Sequence, residues 1–275
     1  MADAPSVALV TFAGQPTGET DDKLLAAALA RQGAGVTFAC WDDPSVQWAA
    51  LDLAVVRSTW DYHHRIDAFL SWIDFAGQAT RLVNDARTIR WNAHTGYLVE
   101  LAGAGVPVVP TALVRRGERF TVPDGDWVVK PAVSIGADRT MRRPSQADVD
   151  ALTASTDVLV QPYVVDVEAG EISIVCIGGE PSHAVQKVPA AGDFRTQEHH
   201  GATATRVPVA APLDQMARNV LALLPDRPAF ARVDVVETAD GPLLMELELI
   251  EPYLWFRLRT EAADELAGVL LSTLG

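Results

Sequence analysis

The first third of the chain alternates apolar, strand-like runs with segments of helical periodicity. Ser6–Phe12 is an apolar, β-branched run, and Asp21–Gln32 has acids at its start and Gly33 just beyond its end. Those are the start and stop signals of a helix. Two further strands and a second helix are predicted at Val36–Cys40, Asp52–Arg57 and Arg65–Ala76. This βαβ order predicts a small parallel sheet.

After residue 85 the pattern changes. A helix-rich stretch, Ala86–Ala102, precedes short strands with Gly-rich turns, and Gly178–Gly179 and Ala239–Gly241 predict two hairpins. The predicted strands are Asp126–Lys130, Val158–Gln161, Glu171–Ile177, Ser182–Val188, Ala229–Glu237 and Pro242–Leu249, and helices are predicted at Asp214–Leu224 and Glu261–Leu274. We therefore expect an antiparallel α+β part that faces the parallel α/β part across a cleft.

Composition narrows the classes of partner. Hydrophobic residues make up 49% of the 275 residues, which is ample for a packed core. The net charge of −14 disfavours nucleic acid and anionic membranes as partners, although it is compatible with a locally basic pocket. Cys40 and Cys176 lie in apolar runs and are expected to be free thiols. No signal sequence or membrane-spanning run is recognised, so a cytoplasmic protein is expected, and a homodimer is compatible with the sequence.

Three acids on the last predicted hairpin are candidate metal ligands. Glu246 and Glu248 alternate along one strand and therefore point to the same face, and the hairpin can place Asp234 opposite them. Clustered carboxylates on an apolar hairpin would repel one another, and a hard divalent cation such as magnesium removes that repulsion. A solvated face on an edge hairpin is the alternative.

Lys130 and the segments around it are candidates for contacts with an anionic ligand. Lys130 ends an apolar strand beside the small, flexible loop Pro131–Arg139, so it can meet phosphates as a point charge. A strand that runs into Pro162 loses regular pairing there, so its backbone N–H and C=O groups could form hydrogen bonds with the edge of an adenine base. The carboxylate of Glu171, one strand further on, could accept hydrogen bonds from ribose hydroxyls. Each signal alone also fits ordinary strands and turns.

A basic stretch follows the central strands. Lys187 and Arg195 could line an anion site, and His199 with His200 raises zinc as an alternative. Zinc sites need three or four converging ligands, and no CxxC or HExxH motif occurs, so structural zinc is disfavoured.

Taken in order, these elements resemble the ATP-grasp superfamily, and most closely its glutathione-synthetase-like members, over nearly the whole chain. The resemblance implies a parallel α/β domain at 1–85, a central α+β domain at 86–160 and a C-terminal α+β domain at 161–275. It also implies that ATP, with magnesium, lies between the last two domains, and that two ions are bound.

The resemblance also implies roles for individual residues. A lysine before a flexible loop contacts the α/β-phosphates, a hinge strand binds adenine, and an acid ten positions later binds ribose. These match Lys130 with the loop residues Ser134, Ile135 and Gly136, then Gln161, Tyr163 and Val164, and then Glu171. The magnesium ligands match Asp234, Glu246 and Glu248, and the catalytic cations match Arg232, Lys187 and Arg195.

One departure concerns a lysine that the family usually has at the start of the central domain. Here His94 and Thr95 stand where aspartate and lysine are expected. Either another cation serves that phosphate, with Arg90 and His94 as candidates, or nucleotide affinity is altered.

A narrower resemblance is to the cyclo-ligases of D-cycloserine biosynthesis. It rests on Val55–Tyr62, Arg90–Leu98 and Lys187–Arg195. It implies activation of the carboxylate of O-ureido-D-serine, an amino-acid-like small molecule, followed by ring closure through nitrogen. The substrate contacts are then expected at Arg57, Ser58, Tyr62 and His199. An intermolecular amino-acid ligase, a nucleotide-binding regulatory protein without catalysis and a metal-binding structural protein are the alternatives.

Overall fold

The structure, a computed structural model, describes residues 4–275 and begins with a parallel sheet. The sheet has the order β2-β1-β3-β4 and consists of β1 (Ser6–Thr11), β2 (Gly35–Cys40), β3 (Leu53–Ser58) and β4 (Arg81–Val83). Helices α1 (Thr20–Arg31) and α2 (Ile66–Ala79) connect its strands. The predicted parallel α/β part is confirmed, whereas the three-residue β4 was not predicted because so short a run has no periodicity.

A second, antiparallel sheet follows two short helices, α3 (Ala86–Asn92) and α4 (Tyr97–Gly103). Its order is β5-β8-β6-β7, and its strands are β5 (Ala112–Val114), β6 (Trp127–Pro131), β7 (Met141–Arg142) and β8 (Val158–Pro162). Helix α5 (Gln146–Thr153) was not predicted, although Ser145 and Asp148 form the capping box that marks its start.

The third sheet is antiparallel and has five strands in the order β11-β10-β9-β12-β13. They are β9 (Glu171–Ile177), β10 (Glu180–Val188), β11 (Thr203–Val207), β12 (Phe230–Thr238) and β13 (Gly241–Glu248). Both predicted hairpins are confirmed; Gly178 and Gly179 turn the first with φ of 55° and 75°, which glycine adopts without steric cost. Helix α6 (Ala211–Ala222) covers this sheet.

The C-terminal helix packs against the N-terminal part of the chain. Helix α7 (Glu261–Ser272) packs on α1, and their apolar side chains share one core with β1, β3 and the third sheet. The domain limits at 85/86 and 160/161 remain predictions; β8 continues across the second of them.

Two smaller expectations concern the thiols and the membrane. Both cysteines are free, Cys176 buried and Cys40 half-buried. Between residues 4 and 275, no helix has the length and apolar character needed to cross a bilayer.

Candidate functional site

One cleft of about 890 Å³ lies where the second and third sheets meet the loops after β3. Side chains from β6, β8, β9, β10, β12 and β13 line it, together with the segment Trp60–His64. Of the residues predicted to form the site, those that line the cleft are Lys130, Ser134, Ile135, Gly136, Gln161, Tyr163, Val164, Glu171, Lys187, Arg195, His199, Arg232, Asp234, Glu246, Glu248 and Tyr62. The strand order thus brings distant sequence segments to one surface.

The three acids of the last hairpin converge as the alternation of strand side chains predicts. Asp234 on β12 pairs with Glu246 on β13, Arg232 pairs with Glu248, and one carboxylate oxygen of each acid lies within 4.8 Å of the other two. Ser173 on the neighbouring β9 donates a hydrogen bond of 2.6 Å to Asp234. The cluster is therefore built on hydrogen-bonded strands, and it lies next to a register shift between Asp234 and Val235.

The pKa values of two of these acids are shifted in opposite directions. Burial, together with Glu246 and Asp234, raises the pKa of Glu248 to about 8, although Arg232 opposes the shift. Burial also acts to raise the pKa of Asp234, but Arg232 and Lys187 outweigh it and hold that pKa well below its usual range. The cluster thus has an excess of buried negative charge that its own cations only partly offset.

Arg232 is held against this cluster by several contacts. Its Nε donates to Asp234 Oδ1 at 2.9 Å, its Nη2 donates to Asp234 Oδ2 at 2.8 Å, and the same nitrogen pairs with Glu248. The guanidinium carbon lies 5.3 Å from the ring centroid of Trp255, within the range of a cation–π contact. Arg232 therefore has a fixed position at the floor of the cleft.

Lys187 extends the network along the sheet. It lies opposite Glu171 in the β9–β10 register and forms an ion pair with it, while its Nζ is 3.4 Å from Asp234 Oδ2. Thr196 donates a hydrogen bond of 2.9 Å to the other oxygen of Glu171. Lys187 is 5% exposed, so its charge balances two carboxylates in a largely dry environment.

Lys130 and its loop form the opposite side of the cleft. Lys130 lies on β6, and within the described chain no carboxylate approaches its Nζ to 4.0 Å. The loop after it is held by internal hydrogen bonds, from Ser134 Oγ to the Asp138 carbonyl at 2.9 Å and from the Asp138 N–H to the Ile135 carbonyl at 3.1 Å. Gly136 turns this loop with φ of 62° and lies beside the His199 ring.

The strand end at Pro162 leaves few backbone groups free. The Tyr163 N–H donates to the Asp126 carbonyl at 2.8 Å, and the Val164 carbonyl accepts from Val167 at 3.2 Å. In the part of the chain that the structure describes, the Val164 N–H meets no protein acceptor. The buried amide of Gln161 is held by Thr111 at 2.8 Å. One backbone donor at the edge of the cleft is thus available to a ligand.

Comparison with known proteins agrees with this arrangement. Residues 108–253 match the family described as "Prokaryotic glutathione synthetase, ATP-grasp domain", and residues 7–84 match "D-cycloserine synthetase DcsG, N-terminal domain". The cycloserine biosynthesis protein DcsG of Streptomyces lavendulae is 30% identical over 98% of this chain and 98% of its own length. This chain belongs to the ATP-grasp family.

Solved structures extend that result. The crystal structure of D-cycloserine synthetase DcsG superposes with a TM-score of 0.89 at 28% identity, covering 98% of this chain and 100% of the other. D-alanine–D-alanine ligase from Bacillus anthracis superposes with a TM-score of 0.70 at 10% identity over 99% of this chain and 97% of its own, which shows a shared fold. As an ATP-grasp protein and a relative of DcsG, the chain is an ATP-dependent ligase.

Two of the predicted substrate residues of this ATP-grasp ligase do not line the cleft. Arg57 is 2% exposed; its Nε donates to Asp22 at 3.2 Å and its Nη2 to the Pro252 carbonyl at 3.0 Å. Ser58 is fully buried and donates to Thr11 Oγ1 at 3.0 Å. Both residues belong to β3 itself, so contacts with neighbouring elements hold their side chains in this structure, and their roles as substrate contacts remain predictions.

Arg90 and His94 do not supply the cation that the missing lysine would have given. Arg90 pairs with Asp74 on α2, and His94 Nε2 lies 3.2 Å from Asp157; neither lines the cleft. Thr95 does line it and donates to the Ala132 carbonyl at 2.8 Å. The suggestion that either residue replaces the lysine is therefore wrong, because each is held by an acid on another element.

Several residues of the cleft were not predicted. The Trp255 ring lies within cation–π distance of both Lys187 and Arg232. Glu251 lies three positions beyond the last acid of the cluster, and the remaining residues, Trp60, His63 and Asp138, belong to the loops. Burial, together with the nearby Glu248 carboxylate, holds the pKa of Glu251 well above its usual range. The run Glu-x-Glu-x-x-Glu was the available signal for Glu251, since a third acid in an apolar stretch is unusual.

Proposed function

We propose that this ATP-dependent ligase converts a small amino-acid carboxylate into an acyl phosphate and closes a ring by attack of the substrate's own nitrogen. The best-supported product is D-cycloserine from O-ureido-D-serine. The observation that carries the proposal is full-length similarity to D-cycloserine synthetase in sequence and fold, N-terminal domain included, combined with an intact acid and lysine network.

The acid cluster fits the magnesium that the family implies. Asp234, Glu246 and Glu248 offer hard oxygen donors within 4.8 Å of one another, and a divalent cation would offset the burial and the carboxylate repulsion that together raise the pKa of Glu248. When bound there, magnesium would neutralise charge on the phosphates of ATP. We propose two ions, since three carboxylates together can ligate more than one.

The protein's own residues would then position the reactants. Lys130 has no acid partner among residues 4–275, so its charge is free for a phosphate. Arg232 lies beside the acids and would stabilise charge on the transferring phosphoryl group. The free N–H of Val164 would donate to adenine, and Glu171 would accept from ribose hydroxyls. Lys187 would hold the Glu171 carboxylate in place for that contact through their ion pair.

The chemistry has two steps that balance. A carboxylate oxygen attacks the γ-phosphorus, and ADP leaves with the electron pair of the broken P–O bond. The ureido nitrogen on oxygen then attacks the acyl carbon, and inorganic phosphate leaves. One water must afterwards release the carbamoyl group as carbon dioxide and ammonia. The loop Ser134–Gly136 would shield the anhydride from water before the ring closes.

The test is ADP release with single substrates. Purified protein with ATP, magnesium and O-ureido-D-serine alone should form ADP, phosphate and D-cycloserine in equal amounts, which coupled ADP assay and mass spectrometry measure. The stereoisomer O-ureido-L-serine is the matched control. ADP release that requires a second amino acid would instead support an intermolecular ligase, and nucleotide binding without ADP release under any condition would support a regulatory protein.

Two broader expectations belong to the same proposal. We place the enzyme in the cytoplasm, where ATP is supplied, and we leave a homodimer as the oligomeric state to be measured by light scattering.

A further inference from the structure

A second group of metal-ligating side chains lies at the rim of the cleft, apart from the acid cluster. It consists of His63, His64 and Asp138, each of which has a ligand atom within 4.8 Å of the other two. The histidines follow β3, in a 3-10 turn at Tyr62–His64, while Asp138 lies in the loop after β6. Two segments that are far apart in sequence thus converge on one point.

The distances suit a bound ion better than a direct contact. His63 Nε2 lies 3.8 Å from Asp138 Oδ2, which is beyond hydrogen-bond range. Two ligands of a tetrahedral zinc ion, with bonds of 2.0–2.2 Å, are about 3.3–3.6 Å apart. The His63 and His64 ring centroids are 3.7 Å apart, so both imidazoles are directed to one side of the turn. An ion between the three groups would need only small adjustments.

Both segments hold their donors in place without an ion. The Tyr62 ring stacks on Phe69 with centroids 4.4 Å apart, and the His64 N–H donates to the Asp61 carbonyl at 3.1 Å. On the other side, Ser134 and Ile135 bind the backbone of Asp138. In addition, Nδ1 of His63 is buried and meets no hydrogen-bond partner among residues 4–275, while Nε2 of the same ring faces Asp138.

We propose that His63, His64 and Asp138 form a site for a divalent transition-metal ion of the zinc class, which links the turn after β3 to the loop after β6. Two imidazoles and one carboxylate are a donor set that zinc accepts and that magnesium, which prefers oxygen, does not. The fourth position faces the cleft, since all three side chains line it. A bound ion would hold the loop Ser134–Asp138 against the parallel domain.

The chain contains its own control. His199 and His200 form a second adjacent pair, with ring centroids 4.1 Å apart and also at the cleft, but no carboxylate completes a three-ligand group with them among the described residues. The two histidine pairs are therefore similar in composition and in their position at the cleft. They differ in that a carboxylate converges on the first pair and not on the second.

The experiment is competition for Zn²⁺ against a chromophoric chelator, in excess Mg²⁺ so that the oxygen-only cluster is occupied. We expect wild-type protein to bind one Zn²⁺ more tightly than Asp138→Asn and His64→Gln, by at least about 10-fold. Both positions are exposed, so the fold is expected to survive either change, which circular dichroism checks. The double variant His199→Gln/His200→Gln should bind Zn²⁺ like wild type.

A second readout tests the link between segments. Hydrogen exchange of the peptide that contains Ser134–Asp138 should slow when Zn²⁺ is added to wild type and to the His199/His200 double variant, and it should not change in Asp138→Asn. Equal Zn²⁺ affinity in wild type, Asp138→Asn and His64→Gln would overturn the proposal. A loss of Zn²⁺ binding confined to the His199/His200 double variant would also overturn it. Tight Zn²⁺ binding by wild type with no change in hydrogen exchange of the Ser134–Asp138 peptide would do the same.

Discussion

The two sides of the cleft are built in different ways. On one side, the charged residues Lys187, Arg232, Asp234 and Glu248 stand on β10, β12 and β13 of one five-stranded sheet and are joined by ion pairs. On the other side, the residues belong to the loops 59–64 and 133–140, where Ala137 and Arg139 adopt positive φ of 62° and 54°. Rigid strands carry the charges, and loops carry the groups that would meet the substrate.

This difference follows from what each side must do. Stabilising charge on a phosphoryl group requires donors that are already in place, since reorganisation during the reaction costs free energy. Admitting a substrate and then excluding water requires a segment that moves. The comparison therefore predicts that changes on the sheet side alter stability and the chemical step, whereas changes on the loop side alter binding with little effect on the fold.

The largest effect is expected from Lys187→Met. Removing this buried cation leaves Glu171 without its cation partner and Asp234 with Arg232 as its remaining one, which should lower the free energy of unfolding by about 3–5 kcal/mol. Urea denaturation followed by circular dichroism measures it. Arg195→Met is the control, because its ion pair with Asp193 is partly exposed and should contribute at most about 1 kcal/mol. Equal losses in the two variants would contradict a buried network.

Next is Glu246→Gln, which removes one oxygen donor from the acid cluster with little change in shape. We expect kcat for ADP formation to fall by about 100- to 1,000-fold, the usual effect of removing one preorganised electrostatic contact. Glu237→Gln, an exposed acid on the same hairpin, is the matched control. An unchanged kcat for ADP formation in Glu246→Gln would contradict the proposed magnesium site.

A third prediction concerns the segment Ile250–Phe256, which joins the two sides. His183 is 2% exposed and binds the Leu254 carbonyl at 2.9 Å. Burial lowers the pKa of His183 to about 4 in the folded protein, against 6.5 when unfolded. Between these values the unfolded chain binds more protons, so the contribution to stability is present above pH 6.5 and is lost as the pH falls towards 4.

The measurement is thermal or urea unfolding from pH 7.5 to pH 4 for wild type and His183→Gln. The stability difference between them should shrink by up to roughly 3 kcal/mol over that range, at about 1.36 kcal/mol per pKa unit. Glutamine keeps the side-chain donor but does not titrate. Parallel pH curves for the two proteins would show that His183 is not buried in neutral form.

The smallest effect is expected on the loop side, for Gly136→Ala. An added Cβ would lie 3.3 Å from His199 Cε1, and the residue would have to keep φ of 62°. The cost is about 1 kcal/mol and is confined to the loop, so we expect KM for ATP to rise by up to about 10-fold with little change in thermal midpoint. Gly192→Ala, with φ of 84° and open space around it, is the control. A large fall in the thermal midpoint would show that the loop is part of the rigid side.

Much of the fold and of the charged side could be predicted from local pattern. Alternation along β12 and β13 is enough to place Glu246 and Glu248 on one face and Asp234 opposite, because side-chain direction in a strand is a local property. The burial of Arg57 and Ser58 was not predictable from their position at a strand end, because their packing partners, Asp22 and Thr11, lie on other elements. Short elements such as β4, β7 and β11 were also missed, since pairing with neighbours defines them.

By itself, the sequence determined the βαβ beginning, the two hairpins and the class of ATP-dependent ligase, since periodicity and residue chemistry are encoded along the chain. Only the tertiary structure decided that Lys187 joins Glu171 to Asp234, that Trp255 covers the cations, and that His63, His64 and Asp138 meet at the cleft. Those contacts depend on strand order and loop conformation. They bring together residues at least 16 positions apart, a distance over which no local pattern carries information.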